Sequence, residues 1–235
     1  MKLDGIKEIT GKIMLKTGLH IGSGDTEMKI GGTDNQVIRH PHTHEPYIPG
    51  SSLKGKVRSL LEMRSGLMGE TGGNPLSLKN LMQLDGKEKQ ECEKILKLFG
   101  ASGATVKGAD ELSLTLGPTR VSFADCSLDG DWKKEAFEKH WPLTEVKSEN
   151  AINRIKGTAE NPRFTERVPA DTEFRFCISL KRLDKEDDLE EFLIEGLKLL
   201  QMDFLGGNGS RGYGRVEFEF DDNELQKKFD NIKPI

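Results

Sequence analysis

Polar and apolar side chains alternate along residues 9–21, where Ile9, Ile13, Leu15, Leu19 and Ile21 share one parity, and a period of two predicts a half-buried strand ending at Gly22-Ser23-Gly24. The alternation returns in 119–125 (TRVSFAD), in 172–180 (TEFRFCISL) with Phe174, Phe176 and Ile178 on one face, and in 214–220 (GRVEFEF). Helical spacing replaces it twice. Leu53, Val57, Leu60 and Leu61 predict a helix over about 51–64, opened by Pro49-Gly50 and capped by Ser51 or Ser52. Leu189, Phe192, Leu193, Leu197 and Leu200 predict the clearest helix, over 187–204, with acids in its first turn and a stop at Gly206-Gly207. Residues 66–118 are polar, glycine-spotted and partly helical, with Cys92, Ile95, Leu96 and Phe99 as their best apolar stripe; they read as an insertion with little functional content. Residues 147–168 are too polar for core and read as a projecting arm or hairpin. The order is strand, helix, strand, arm, strand, helix, strand. It predicts an α+β, ferredoxin-like (RRM-like) βαββαβ domain spanning 1–235, an arrangement that many RNA-binding domains share.

Composition narrows the classes. The chain has 235 residues, 31% charged and 34% hydrophobic with 26 glycines, enough for a core without staples. No apolar run is long enough to span a membrane, the start MKLDGIKEIT lacks the apolar core of a signal peptide, and Cys92, Cys126 and Cys177 are too scattered for a metal knuckle or a disulfide framework. A cytoplasmic protein without a membrane partner is expected. The formal charge of −4 argues against a chain coated in positive potential but leaves room for one basic groove.

Candidate chemistry concentrates in residues 31–62. Gly31-Gly32 allows a sharp turn that would hold Thr33, Asp34 and Asn35 at a loop tip. Lys54, Lys56 and Arg58 fall in the opening turns of the helix behind it, where cations are unusual because the free N–H groups already present positive potential, so a polyanion such as phosphate is expected there. GSSLKGKV, from Gly50 to Val57, fits a phosphate-binding P-loop except that Val57 stands where Ser or Thr should hold magnesium, and HEPYIPG before it is not a buried strand. GNGSRG, from Gly207 to Gly212, matches a dinucleotide fingerprint but follows a helix and precedes a strand, the reverse of what that site needs; its glycines and Arg211 suit close backbone contact with nucleic acid as well as they suit a plain turn. His40, His42 and His44 alternate as a metal site might, but Pro41 and Pro46 break the segment and favour a solvated loop. Asp34 taken alone also reads as a turn residue.

The stretch IGGTDNQVIRHPHTHEPYIPGSSLKGKVRSLLE closely resembles the backbone subunit of the type III-A CRISPR (Csm) effector complex, within the RAMP superfamily. SENAINRIKGTAENPRFTERVPADTEF resembles that family's arm, and FLGGNGSRGYGRVEF its glycine-rich loop and last strand, so the likeness spans most of the chain apart from the insertion. The resemblance implies a palm with a projecting thumb at 147–168, and copies stacked as a filament on a CRISPR RNA guide beside other Csm subunits. A single-stranded target RNA would pair with the guide and be cut once per copy. It implies that Asp34 is the acidic residue of divalent-metal-dependent cleavage, with Mg2+ expected and Mn2+ a further choice, and that Lys54, Lys56 and Arg58 grip the guide backbone. Beside the RNA it places His20, the thumb residues Asn150, Arg154, Arg163 and Arg167, and the loop residues Gly207, Gly209 and Arg211. Whether Asp34 would hold the metal or take the 2′-OH proton stays open, as does a scaffold reading in which Asp34 is a turn residue and a partner cuts.

Overall fold

The computed structural model describes residues 2–24, 35–101, 109–183 and 189–235. The strands are β1 (Leu3–Leu15), β2 (Val121–Phe123), β3 (Glu145–Ile152), β4 (Ala159–Arg167), β5 (Glu173–Leu183) and β6 (Val216–Phe220). Four form an antiparallel sheet in the order β2-β5-β1-β6, and β3 pairs with β4 in a separate two-stranded sheet. Two crossovers interleave here: β1 reaches β2 through α1 (Gly50–Arg64), and β5 reaches β6 through α6 (Leu189–Met202). The expected ferredoxin-like palm is present, with β3 and β4 as the projecting hairpin.

One face of the sheet is buried. Ile9, Ile13, Leu15, Phe174, Phe176, Ile178, Val216, Phe218 and Phe220 form it, and the helical residues Leu53, Val57, Leu61, Leu193 and Leu197 join the same cluster. Phe176 meets Phe218 and Phe220 edge-on, with centroids 5.7 and 5.5 Å apart, the arrangement ring quadrupoles favour. Gly196 lets α6 close on α1, since a side chain there would collide with Val57 and Leu61.

The other face is not the aromatic platform of an RNA-recognition sheet. Its positions are Glu8, Thr10, Lys12 and Met14 on β1, Glu173, Arg175, Cys177 and Ser179 on β5, and Glu217 and Glu219 on β6. Carboxylates outnumber cations, and two of the cations are paired, Lys12 with Glu173 at 2.9 Å and Asp129 at 3.3 Å and Arg175 with Asp221 at 2.6 Å, while Lys181, opposite Ile6, is exposed at the far end of the face. With no ring to stack a base and net negative charge, this face repels a phosphate strand.

Several boundaries differ from the sequence expectation. β1 ends at Leu15, and Leu19 and Gly22 make only isolated bridges, to Val168 and Val37, because the chain leaves the sheet there for the base of the hairpin. α1 starts at Gly50 after Pro49, with neither Ser51 nor Ser52 as cap; the Gly50 N–H instead donates to Asp125 Oδ1 at 2.7 Å, so a loop carboxylate 75 residues away serves that end. The segment from 66 to 118 holds α2 (Leu78–Leu81), α3 (Gly86–Phe99) and α4 (Ala109–Leu116). Its Leu67, Leu76, Leu81, Ile95, Leu96 and Leu98 are buried in the palm's own core. Two further helices, α5 (Gly130–Glu138) and α7 (Asn223–Asn231), were not expected. Each is capped by an aspartate, Asp129 or Asp222, that accepts two backbone N–H bonds, yet each buries only two side chains, too weak a period to stand out.

Candidate nucleic-acid interface

The base of the hairpin is organised by Glu166, a carboxylate only 8% exposed. Its Oε2 accepts from the Val37 N–H at 2.9 Å and its Oε1 from Arg39 at 2.5 Å. Its own N–H donates to Asn35 O at 3.0 Å, and its carbonyl accepts from His20 Nδ1 at 2.7 Å. A buried carboxylate is tolerated when charge and hydrogen bonds both answer it, as here. A carbonyl only accepts, so His20 Nδ1 carries hydrogen, and Nε2 is the atom left for other work. That edge of the ring lies beside Gly22 and Gly207, and the Gly207 N–H donates to His20 O at 2.8 Å. Asp34 and the Gly31-Gly32 turn lie outside the described residues; the described chain resumes at Asn35, which Glu166 holds and which bridges to Thr165 on β4.

The opening of α1 and the glycine-rich loop meet on the same side. Lys56 reaches Asp203 at 2.6 Å and sits 3.9 Å over the Phe204 ring, which ties the helix to the start of the loop. The loop closes where Gly214, at φ 71°, lies so near Leu205 that no side chain fits. Gly209 lies flat against the Phe204 ring in the same way. Arg58 turns inward: Nε binds Glu62 at 2.7 Å, Nη2 the Leu76 carbonyl at 2.7 Å and Nη1 the Gly100 carbonyl at 3.1 Å. Lys54 alone of the three basic residues has no ion-pair partner among the described residues. Partial burial, followed by the charge of Arg58, holds its amine below the usual lysine range, which marks an electropositive, partly desolvated position. Asp125 already answers the helix end, so of the three cations Lys54 alone keeps its charge for a polyanion.

The hairpin leans on the loop through Glu149. Arg211 reaches it at 2.5 Å, the Tyr213 hydroxyl donates to it at 3.1 Å and Lys147 lies at 3.2 Å. Burial pushes the Glu149 carboxyl up, but the bonds from Lys147 and Tyr213 and the charge of Arg211 outweigh it and hold the group below its usual value. Tyr213 is fully buried, with Lys147 and Arg167 against its ring at 4.5 and 5.0 Å, and Arg167 also binds Glu145 at 2.7 Å. Arg211 additionally bonds Asn208. Asn150 lies exposed where the β3–β4 register shifts between Glu149 and Ala151, and Arg154 and Arg163 are exposed with no ion pair among the described residues. At the tip Asn153 Oδ1 accepts from the Ile155 and Lys156 N–H groups at 3.1 Å, and the turn presents Ile155, 98% exposed, between Arg154 and Lys156. Ile152, Val146 and Phe164 are exposed on the same hairpin.

The expected RNA-contact residues therefore divide. Lys54, Asn150, Arg154, Arg163 and the Nε2 edge of His20 remain available, whereas Lys56, Arg58, Arg167 and Arg211 hold protein groups, and Gly207 and Gly209 line the loop's inner packing. Glu166, Glu149, Tyr213 and Asp203 were not singled out from sequence; no local pattern marks them, because each acts on a partner distant in the chain. His40 Nδ1 accepts from the His42 and Thr43 N–H groups at 3.3 and 3.4 Å, which makes it part of a surface turn. Among the described residues no three His, Cys, Asp or Glu side chains are grouped to hold a metal ion. The described residues thus do not by themselves fit a divalent cation. Burial, and secondarily Glu62, pushes the Cys92 thiol up to about 11, while burial and then Asp125 push Cys126 up to about 12, which removes both as nucleophiles at neutral pH.

Residues 12–217 match the RAMP superfamily model. The chain is 40% identical over 226 residues, 90% of this chain and 82% of the relative, to "CRISPR system Cms endoribonuclease Csm3" of Methanothermobacter thermautotrophicus. It is 41% identical over 223 residues, 93% of this chain and 80% of the relative, to the protein of the same name in Methanocaldococcus jannaschii. A crystal structure of the Csm3-Csm4 subcomplex in the type III-A CRISPR-Cas interference complex holds a chain similar over 99% of both lengths, with 26% identity and a TM-score of 0.56.

Proposed function

Because the chain belongs to the RAMP superfamily, with relatives named Csm3, we propose that it is the backbone endoribonuclease of a type III-A CRISPR effector complex. Copies polymerise along a CRISPR RNA guide with other Csm subunits, and each cuts the paired target RNA once, at regular intervals. Guide and target meet in the cytoplasm; no helix among the described residues is long and apolar enough to cross a membrane.

The observation that carries this reading is the Glu166 hub. Asn35, the next residue in sequence after Asp34, is hydrogen-bonded to the base of the hairpin, which supports a reading in which Asp34 and the projecting thumb act together. Base pairing supplies specificity, and the protein needs to hold phosphates and shape. Lys54 and His20 Nε2 face the guide side, while Ile155, flanked by Arg154 and Lys156, enters the guide–target duplex and unstacks it. That kink turns a 2′-OH in line with its neighbouring phosphate, and Asp34 promotes its attack, which forms a 2′,3′-cyclic phosphate as the bond to the 5′ oxygen of the next nucleotide breaks and that oxygen leaves as a hydroxyl. A divalent ion, Mg2+ or Mn2+, belongs to the proposal as a requirement for cleavage; no step is routed through it.

The test is cleavage of guide-complementary RNA by reconstituted complexes carrying the native chain or Asp34→Ala, with and without EDTA. Regularly spaced, EDTA-sensitive cuts that vanish in the variant, with assembly intact, are expected. Cuts that persist in Asp34→Ala would make the chain a scaffold, with the nuclease elsewhere. An all-deoxy target should survive, since it lacks the attacking hydroxyl.

A further inference from the structure

On the flank of α1, where the chain turns from 67–71 into α2, lies a half-open hollow of about 600 Å3. Arg58, Thr71, Asn74, Ser77, Lys79 and Gln83 line it, and among the described side chains no carboxylate does, in a chain with 39 acids among 235 residues. The carboxylate nearest in the bonding network, Glu62, is 6% exposed and lies beneath Arg58, with Oε1 engaged by Arg58 Nε and the Leu76 N–H. The hollow is therefore electropositive and rich in neutral amides and hydroxyls, a lining that suits a phosphodiester sugar–base unit better than an apolar ligand.

Its position extends that chemistry. Lys54 and Arg58 are four residues apart on one face of α1, close enough for the Arg58 charge to act on the Lys54 amine. The three N–H arms of Arg58 are engaged with Glu62, Leu76 and Gly100, so it contributes charge and a planar face rather than new bonds. Lys79, in α2, and Gln83, two residues past its end, are exposed four positions apart, and their side chains make no ion pair or hydrogen bond among the described residues. Lys54, Arg58 and Lys79 thus form one strip that runs from the start of α1 into the hollow. The acidic sheet face offers the strand no such route.

We propose that this hollow binds one nucleotide of the single-stranded RNA that Lys54 holds, its phosphate against Lys79 and its sugar or base edge against Gln83 and Asn74. The inference rests on the reading of α1 as a guide grip, and it gives the 66–118 segment a part in RNA binding. The test is fluorescence anisotropy of end-labelled, guide-length RNA with the full chain at several salt concentrations. It compares the native protein, Lys79→Gln/Gln83→Ala and Lys54→Ala; the two altered side chains of the double variant are exposed, so its thermal melt should match the native one. The double variant should raise Kd about five-fold and lower the log–log salt slope by about 0.7, one single-strand phosphate contact. RNA should also protect Lys79 from amine acylation while leaving Lys139, just past the end of α5, reactive. Unchanged Kd and slope in the double variant, with Lys54→Ala weakened, overturns the hollow and leaves the α1 reading standing. Loss in neither variant overturns both. Competition of labelled RNA by inorganic phosphate or a free mononucleotide at equal phosphate concentration would overturn the assignment to a strand and make the hollow a small-anion site.

Discussion

Lys54 and Arg58 are alike in sequence and opposite in use. The Arg58 side chain is 17% exposed and bonds a Glu62 side chain 8% exposed, so removing the guanidinium strands a buried carboxylate together with two carbonyls. Arg58→Ala should cost about 3 kcal/mol of unfolding free energy in urea melts, the usual penalty for breaking one side of a buried pair. Lys54→Ala should stay within about 0.5 kcal/mol of native. RNA affinity should follow the reverse order once the proteins are compared below their melting range. Had all three basic residues gripped the guide, as their position suggested, all three single variants would lose affinity alike; the inward bonds of Arg58 and the Asp203 pair of Lys56 predict that Lys54 dominates.

At the scale of elements, the hairpin β3–β4 is a two-stranded unit that would be marginal alone and stays folded because its base is fastened. Glu166 fastens one side, Glu149 with Tyr213 and Arg211 the other. The Arg211 pair is half exposed and contributes little, whereas the Tyr213 hydroxyl donates to a charged group from a buried ring. Tyr213→Phe should loosen the hairpin by about 1 kcal/mol and speed hydrogen exchange of β3–β4 amides roughly five-fold, with the β1 and β5 amides unchanged. Equal acceleration in both sheets would mean that Tyr213 supports the core rather than the thumb.

For the molecule as a whole, the acidic open face sets the response to acid, and in the proposed function it is the side turned away from RNA. Hydrogen bonds from Arg175 and then Thr10 hold the Asp221 carboxyl below its usual 3.8. Burial pushes Asp129 up, but the Trp132 N–H and Lys12 pull it down further, so it too lies below 3.8. A carboxyl depressed by folding adds stability that is present above its unfolded value and lost as pH falls through its folded one. Urea midpoints should therefore be level near pH 5 to 7 and drop below about pH 4, and Asp129→Asn should shrink the drop. Added salt should weaken the Asp221 part more than the Asp129 part, because the Arg175–Asp221 pair is exposed.

The chain's hydrophobic periods determined the palm by themselves. Phe174, Phe176 and Ile178, or Leu193, Leu197 and Leu200, are local repeats that can bury one face only as a strand or a helix, and the order of those elements admits few topologies. The glycine-rich loop, the projecting hairpin and the α1 cations were legible for the same reason, being contiguous. What tertiary structure alone decided is which of those cations is free. Arg58 is claimed by carbonyls at 76 and 100, Arg211 by Glu149, and the start of α1 by Asp125, all pairings between residues far apart in the chain. The place of 66–118 in the main core was decided likewise, because outside the stripe of Cys92, Ile95, Leu96 and Phe99 its apolar residues show no period, yet they converge with it once α3 lies on α1. Side-chain periodicity is local and one-dimensional. Hydrogen-bond partnership and charge pairing are set by distance in space, which the order of residues does not state.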